Sequence, residues 1–153
     1  MSDYETDIAA WSEHQAALLR RAQGGEWVND QIDWPNIIEE IESLSRSEQS
    51  RLANRVRTIF EHLAKLEASP AADPRPGWIE TVARSRADVQ ALLEASPSLR
   101  PKLPAIIADA LPAALRLADI SLKAHGETPR VPLQGLAFAE DDVLGDWIPQ
   151  WEP

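Results

Sequence analysis

Apolar residues recur along the chain at alternating steps of four and three, the spacing that lines one face of an α-helix. Tyr4, Ile8, Trp11, Gln15, Leu18 and Ala22 form the first such stripe, and Gly24-Gly25 stops it. Asp3 and Thr6 are candidate N-caps, and Asp7 suits the positive end of the helix dipole. After a short loop carrying Trp27, Asp33-Trp34-Pro35 opens a second helix, because Asp caps well and Pro fits only a first turn. Ile37, Ile38, Ile41 and Leu44 are its expected buried stripe. The next stripe, Leu52, Val56, Ile59, Leu63 and Leu66, either continues that helix or follows a break. Ser45-Arg46-Ser47-Glu48 has the S-x-x-E form of a capping box, which favours the break.

Ser69 to Gly77 holds Pro70, Pro74, Pro76 and Gly77 and reads as a surface loop. Ile79, Val82, Arg86, Val89 and Leu93 follow as a further stripe, with a charge in its middle. Ser96-Pro97-Ser98-Leu99 is a turn in which Ser98 can cap the next helix. In that last long helix Lys102, Asp109, Arg116 and Lys123 fall seven apart, while leucine and isoleucine fill the other directions. So narrow a polar stripe marks a helix that is central in its bundle or covered by a partner subunit. Pro104 and Pro112 should bend it or delay its start, and His125-Gly126 ends it. From Glu127 onward, prolines and glycines forbid long elements, yet Leu136, Phe138, Val143, Leu144, Trp147 and Trp151 are enough to pack across the helices. With no period-two alternation and no repeat, the expected fold is all-α. It is a single-domain helical bundle of four to five main helices, with an irregular C-terminal strap from about residue 127 to residue 153.

Composition narrows the function classes. A chain of 153 residues is one domain's worth and can bury a core of its own. It has no cysteine, so disulfides, thiolate catalysis and cysteine-held metals are impossible, and only His and carboxylates remain as metal ligands. Its formal net charge of −10 opposes nucleic acid and anionic membranes but does not prevent contact with a basic protein or a metal ion. No stretch is apolar enough to span a bilayer, and the start, MSDYETDIAAW, lacks the features of a secretion signal, so the cytoplasm is the expected compartment.

The order of certain segments is distinctive: Tyr4 to Trp11, Asp33-Trp34, Glu39-Glu40-Ile41-Glu42-Ser43-Leu44, His62-Leu63-Ala64-Lys65, Trp78, Ser96-Pro97-Ser98-Leu99, and Trp147 to Pro149. In this order, over nearly the whole chain, the sequence resembles the bacterial domain-of-unknown-function family number twenty-nine. The resemblance implies a small all-helical bacterial protein, and it carries no established activity or catalytic residues. Members often have Gly where this chain has Ser45.

Several residues invite a functional reading, each with a structural alternative. Glu39, Glu40 and Glu42 beside His62 are the best candidates for a metal or acid–base site, although the Glu-x-x-His spacing of di-iron bundles is missing. The commoner role for such carboxylates is a solvated flank with salt bridges. His14, His62 and His125 lie on three expected helices and form the alternative metal set, while a helix-end role suits His125 and a boundary hydrogen bond suits His62. Arg86, on an aliphatic stripe, requires a partner, and Glu48, Glu40 and Glu42 are the expected carboxylates of a structural ion pair, with an anion- or substrate-binding arginine as the alternative. Among six tryptophans, Trp11, Trp34 and Trp78 suit a core, while Trp27, Trp147 and Trp151 can pave a binding surface; Trp34 also joins Glu40, Glu42, His62 and Arg86 as a candidate binding residue. A Ser-His-Asp arrangement, a phosphate-cradling glycine loop and a dinucleotide fingerprint are absent. The sequence therefore favours a non-catalytic protein-interaction or accessory module without a cofactor, binding a protein partner or itself. A metal-dependent enzyme with a His/carboxylate site between helices is the alternative.

Overall fold

The computed structural model describes residues 3–150. Among these, all regular structure is helical, with six α-helices, short 3-10 turns and no strand. A short helix α1 (Asp3–Thr6) leads into α2 (Ile8–Gln23), followed by α3 (Trp34–Ala68), α4 (Arg75–Ala95), α5 (Leu103–Ala124) and the five-residue α6 (Glu140–Leu144). By contact the chain divides into two compact units, Met1–Ser47 and Glu48–Pro153.

In the first unit Asp7, rather than Asp3 or Thr6, caps α2: its carboxylate accepts from the Ala10 amide at 3.0 Å. The helix closes at Gly24, and Gly25 takes a φ of 86°, a left-handed turn that glycine adopts without strain. Trp11, Leu18, Val28, Ile32 and Ile37 make a small core, with the Tyr4 ring set edge-on to Trp11 at 4.8 Å. Asp33 opens α3 as expected, accepting from the Asn36 side-chain amide at 2.8 Å and from the Trp11 indole at 3.1 Å. These bonds, the Asn36 one foremost, hold its carboxyl below the usual range.

α3 runs unbroken through Ser45, contrary to the break that the capping-box pattern suggests. No glycine or proline stands between Asn36 and Ser69, and Arg46 bridges the supposed gap to Glu39 at 2.5 Å and to Glu42 at 3.8 Å. Glu48 pairs with Arg51 at 2.8 Å rather than capping a new helix. The expected buried stripe is also corrected here: Ile37 is buried, whereas Ile38, Ile41 and Leu44 are exposed.

In the second unit Leu52, Val56, Ile59, Leu63 and Leu66 of α3 are all buried, and they meet Val82, Val89 and Leu93 of α4 and Leu103, Ile107 and Ala114 of α5. The loop after α3 is shorter than the prolines suggest, because α4 begins at Arg75 and takes Pro76 into its first turn, where no amide is needed. Ser96, not Ser98, precedes the 3-10 turn Pro97–Lys102, which leads into α5. Lys102, just before α5, and Asp109, Arg116 and Lys123 on it face water, and Ala114, Ala118 and Leu122 face inward, yet Leu117 and Ile120 remain exposed.

The last carbonyls of a helix have no partners within it. At the end of α3 the Ser69 amide donates to Lys65 O at 2.9 Å, Arg75 Nη1 to Leu66 O at 2.6 Å, Arg130 Nη2 to Glu67 O at 2.6 Å and the Arg130 amide to Ala68 O at 2.7 Å. The strap is thus fastened where it begins. Beyond it Leu133 and Val143 are buried, and Phe138 stacks on the buried Phe60 at 5.5 Å. The tail packs on the helices, as its apolar residues imply; Trp151 lies outside the described residues.

Candidate functional site

Two features stand out, one in each unit. The first is the outward face of α3 in Met1–Ser47, where Trp34, Ile38, Ile41 and Leu44 are all exposed. Trp34, expected in the core, has its indole hydrogen-bonded to Asn29 Oδ1 at 3.0 Å at the exposed start of the helix. Glu40 accepts the Tyr4 hydroxyl at 2.6 Å, which raises the phenol's pKa, and Glu39 and Glu42 are held by Arg46. All three carboxylates of the acidic cluster therefore have partners inside this unit.

The second feature is an open cleft of about 890 Å³ within Glu48–Pro153, between α4 and the tail. Ile79, Leu93, Leu144 and Ile148 give it apolar walls, and Arg86, Arg100, Glu94 and Asp146 supply charge. Arg86 sits on the α4 stripe, half-buried as expected, but none of the carboxylates Glu48, Glu40 and Glu42 is its mate. Its Nε and Nη2 donate to Asp142 O at 3.1 and 2.7 Å, and Nη2 also donates to Trp147 O at 2.7 Å. Asp142 lies in the last turn of the five-residue α6 and Trp147 in the irregular chain after it, so both main-chain oxygens can accept, and a planar guanidinium spans the two at once. Burial pulls the Arg86 pKa down, while the charges of Asp142 and Asp146 oppose the shift. No sequence pattern points to carbonyl acceptors; the only hint is a proline-rich segment whose oxygens cannot all pair among themselves.

His62 is half-buried on α3, with Nδ1 2.9 Å from Thr58 O, one helical turn back. Near it Lys65 is buried, paired with Glu61 at 2.8 Å, and lies 5.8 Å from the Trp78 ring centroid. His125 ends α5 with Nδ1 2.8 Å from Ser121 O, and His14 is exposed on α2. Among the described residues no group of three or more His, Asp and Glu side chains is placed to hold a metal. Trp27 is 85% exposed, and Trp147 is exposed too.

Burial holds the His62 imidazole below the usual histidine range; the Thr58 bond opposes this, the Lys65 charge adds to it, and Glu61 opposes it. As pH falls, the unfolded chain takes the proton first, at its ordinary pKa of about 6.5. Stability from neutral His62 is therefore whole above that pH and shrinks below it. His62→Gln should flatten the fall in Tm between roughly pH 7.5 and 5.5. Parallel Tm curves for the two proteins would show that the imidazole contributes nothing to it.

The family model described as "Domain of unknown function DUF29" matches residues 4–144. No curated protein and no solved structure matches the chain. No helix among the described residues is long and apolar enough to cross a membrane.

Proposed function

The chain belongs to the DUF29 family, and from that premise we propose that it is a non-catalytic interaction module. Its first unit docks an amphipathic helix of a partner protein, apolar on one face and flanked by Lys and Arg. The exposed stripe supports this: Trp34 is 41% exposed, Ile38 53%, Ile41 63% and Leu44 67%. At about 100° per residue the four side chains span roughly 120° of the helix surface, the width of a face that packs on another helix. Large apolar groups set together in water gain nothing from folding alone, and a partner's apolar face would bury them.

The partner's charge follows from the surroundings. Glu40 and Glu42 border the stripe on its two sides, and residues 1–47 hold ten acidic side chains against Arg20, Arg21 and Arg46. Such a surface attracts a basic helix and repels a second copy of itself.

Two synthetic helical peptides test the reading, each with a leucine face, one flanked by Lys and the other by Glu. Calorimetry at low salt should show binding of the Lys peptide alone. Ile41→Asp combined with Leu44→Asp should weaken it at least about 30-fold, since each buried aliphatic side chain is worth about 1.5–3 kcal/mol. Tm should stay unchanged, because both side chains are exposed. Equal binding of the two peptides, or an unaltered affinity in the double variant, would overturn the proposal. So would a dimer of the native chain that the double variant converts to monomer.

A further inference from the structure

We infer that the cleft between α4 and the tail is a binding site for a small amphoteric ligand, an apolar α-amino acid. Three charged side chains face the cleft with donors or acceptors left to solvent. Arg86 spends Nε and Nη2 on the Asp142 and Trp147 carbonyls, so its Nη1 has no acceptor among the described residues, and no carboxylate lies within ion-pair distance. The side chain of Arg100, which also lines the cleft, has no ion pair or hydrogen bond among the described residues. Asp146 likewise lines the cleft without an ion pair among them, while Glu94 is occupied by the Gln90 amide at 3.0 Å.

Opposite charges in one cleft that do not reach each other are bridged best by a ligand carrying both. An α-carboxylate suits the Arg100 guanidinium, whose edges offer parallel N–H donors, with Arg86 Nη1 as a further donor, and an ammonium suits Asp146. The remaining walls are apolar, and Ile79 and Leu144 are 39% and 40% exposed, so a hydrophobic side chain would cover surface that the fold leaves wet. At about 890 Å³ the cleft has room for even the largest side chain and falls in the range of small-molecule sites. A plain carboxylate would leave Asp146 unmatched, and a plain amine would leave both arginines unmatched. The cleft lies wholly within Glu48–Pro153, so the inference stands apart from the α3 docking face.

The full chain, ¹⁵N-labelled, is titrated with L-leucine and L-phenylalanine. Parallel titrations use 4-methylpentanoate, which keeps only the carboxylate, and 3-methylbutylamine, which keeps only the ammonium. The amino acids should shift the amide signals of residues 79, 86, 144 and 146 saturably, and each fragment should bind at least about tenfold more weakly, as the loss of one charge-assisted contact requires. Asp146→Asn should weaken L-leucine at least about tenfold and leave 4-methylpentanoate unchanged, whereas Arg100→Ala should weaken both. Both variants change exposed side chains, and an unaltered Tm verifies the fold. No saturable shift at these residues up to roughly 10 mM ligand, an affinity too weak to use, would overturn the inference. A fragment binding as tightly as the amino acid, or an Asp146→Asn protein binding like the native one, would also overturn it.

Discussion

A chain ended after Gln134 should lose most of the cooperative stability of its second unit. The cut removes the buried Val143, the Phe138 ring stacked on Phe60, and the partly buried Leu136 and Ile148. Each fully buried side chain of this size contributes about 1.5–3 kcal/mol, and Phe60, otherwise fully covered, is opened to water as well. The cut also strips acceptors from two arginines, since Arg86 loses the Asp142 and Trp147 carbonyls and Arg75 loses Pro149 O at 3.2 Å. Together these losses reach about 5 kcal/mol or more, the scale of a whole domain's net stability. Calorimetry should show Tm falling by at least about 15 °C, or no cooperative transition at all. An unchanged Tm would mean that the tail contributes nothing to the core it covers.

Arg86→Met should cost about 2–3 kcal/mol and lower Tm by roughly 5–10 °C. Methionine keeps much of the aliphatic length but leaves the Asp142 and Trp147 carbonyls without the guanidinium that now binds both. Arg86→Lys should recover less than half of the loss, because one ammonium cannot reproduce the fork. Because the acceptors are carbonyls, neutralising Glu48, Glu40 or Glu42 in the same protein should recover nothing, and double-mutant cycles should give coupling near zero. A coupling above about 1 kcal/mol to any of the three would restore the carboxylate partner that the sequence pattern suggests.

Several helix ends are legible in the sequence because their causes are local. Gly24-Gly25, Gly126 and the Asp33-Trp34-Pro35 start act within one turn of the chain, and the structure honours each. Ser45 misled because an S-x-x-E pattern also fits the middle of a helix, where continuous hydrogen bonding and the Arg46 pairs outweigh a possible cap. The stripe Ile38, Ile41 and Leu44 misled for another reason: a 3.6-residue period shows that side chains share a face, not whether that face meets the chain's own core. The aliphatic stripe shows that Arg86 needs partners, yet their identity depends on where the tail runs. A cleft formed by α4, Leu144 and Asp146 depends on the same path and has no signature in the order of residues.

Arg75, Arg86 and Arg130 all hold main-chain oxygens, at Leu66, Glu67, Asp142, Trp147 and Pro149. A carbonyl is the same whichever side chain its residue bears. At Trp147, then, the hold of Arg86 tolerates almost any substitution that keeps the backbone path, whereas at position 86 it tolerates almost none. The hydrogen-bonded hold on the far end of the tail, at Asp142, Trp147 and Pro149, is therefore written in Arg75 and Arg86 of α4 and not in the side chains of the residues being held.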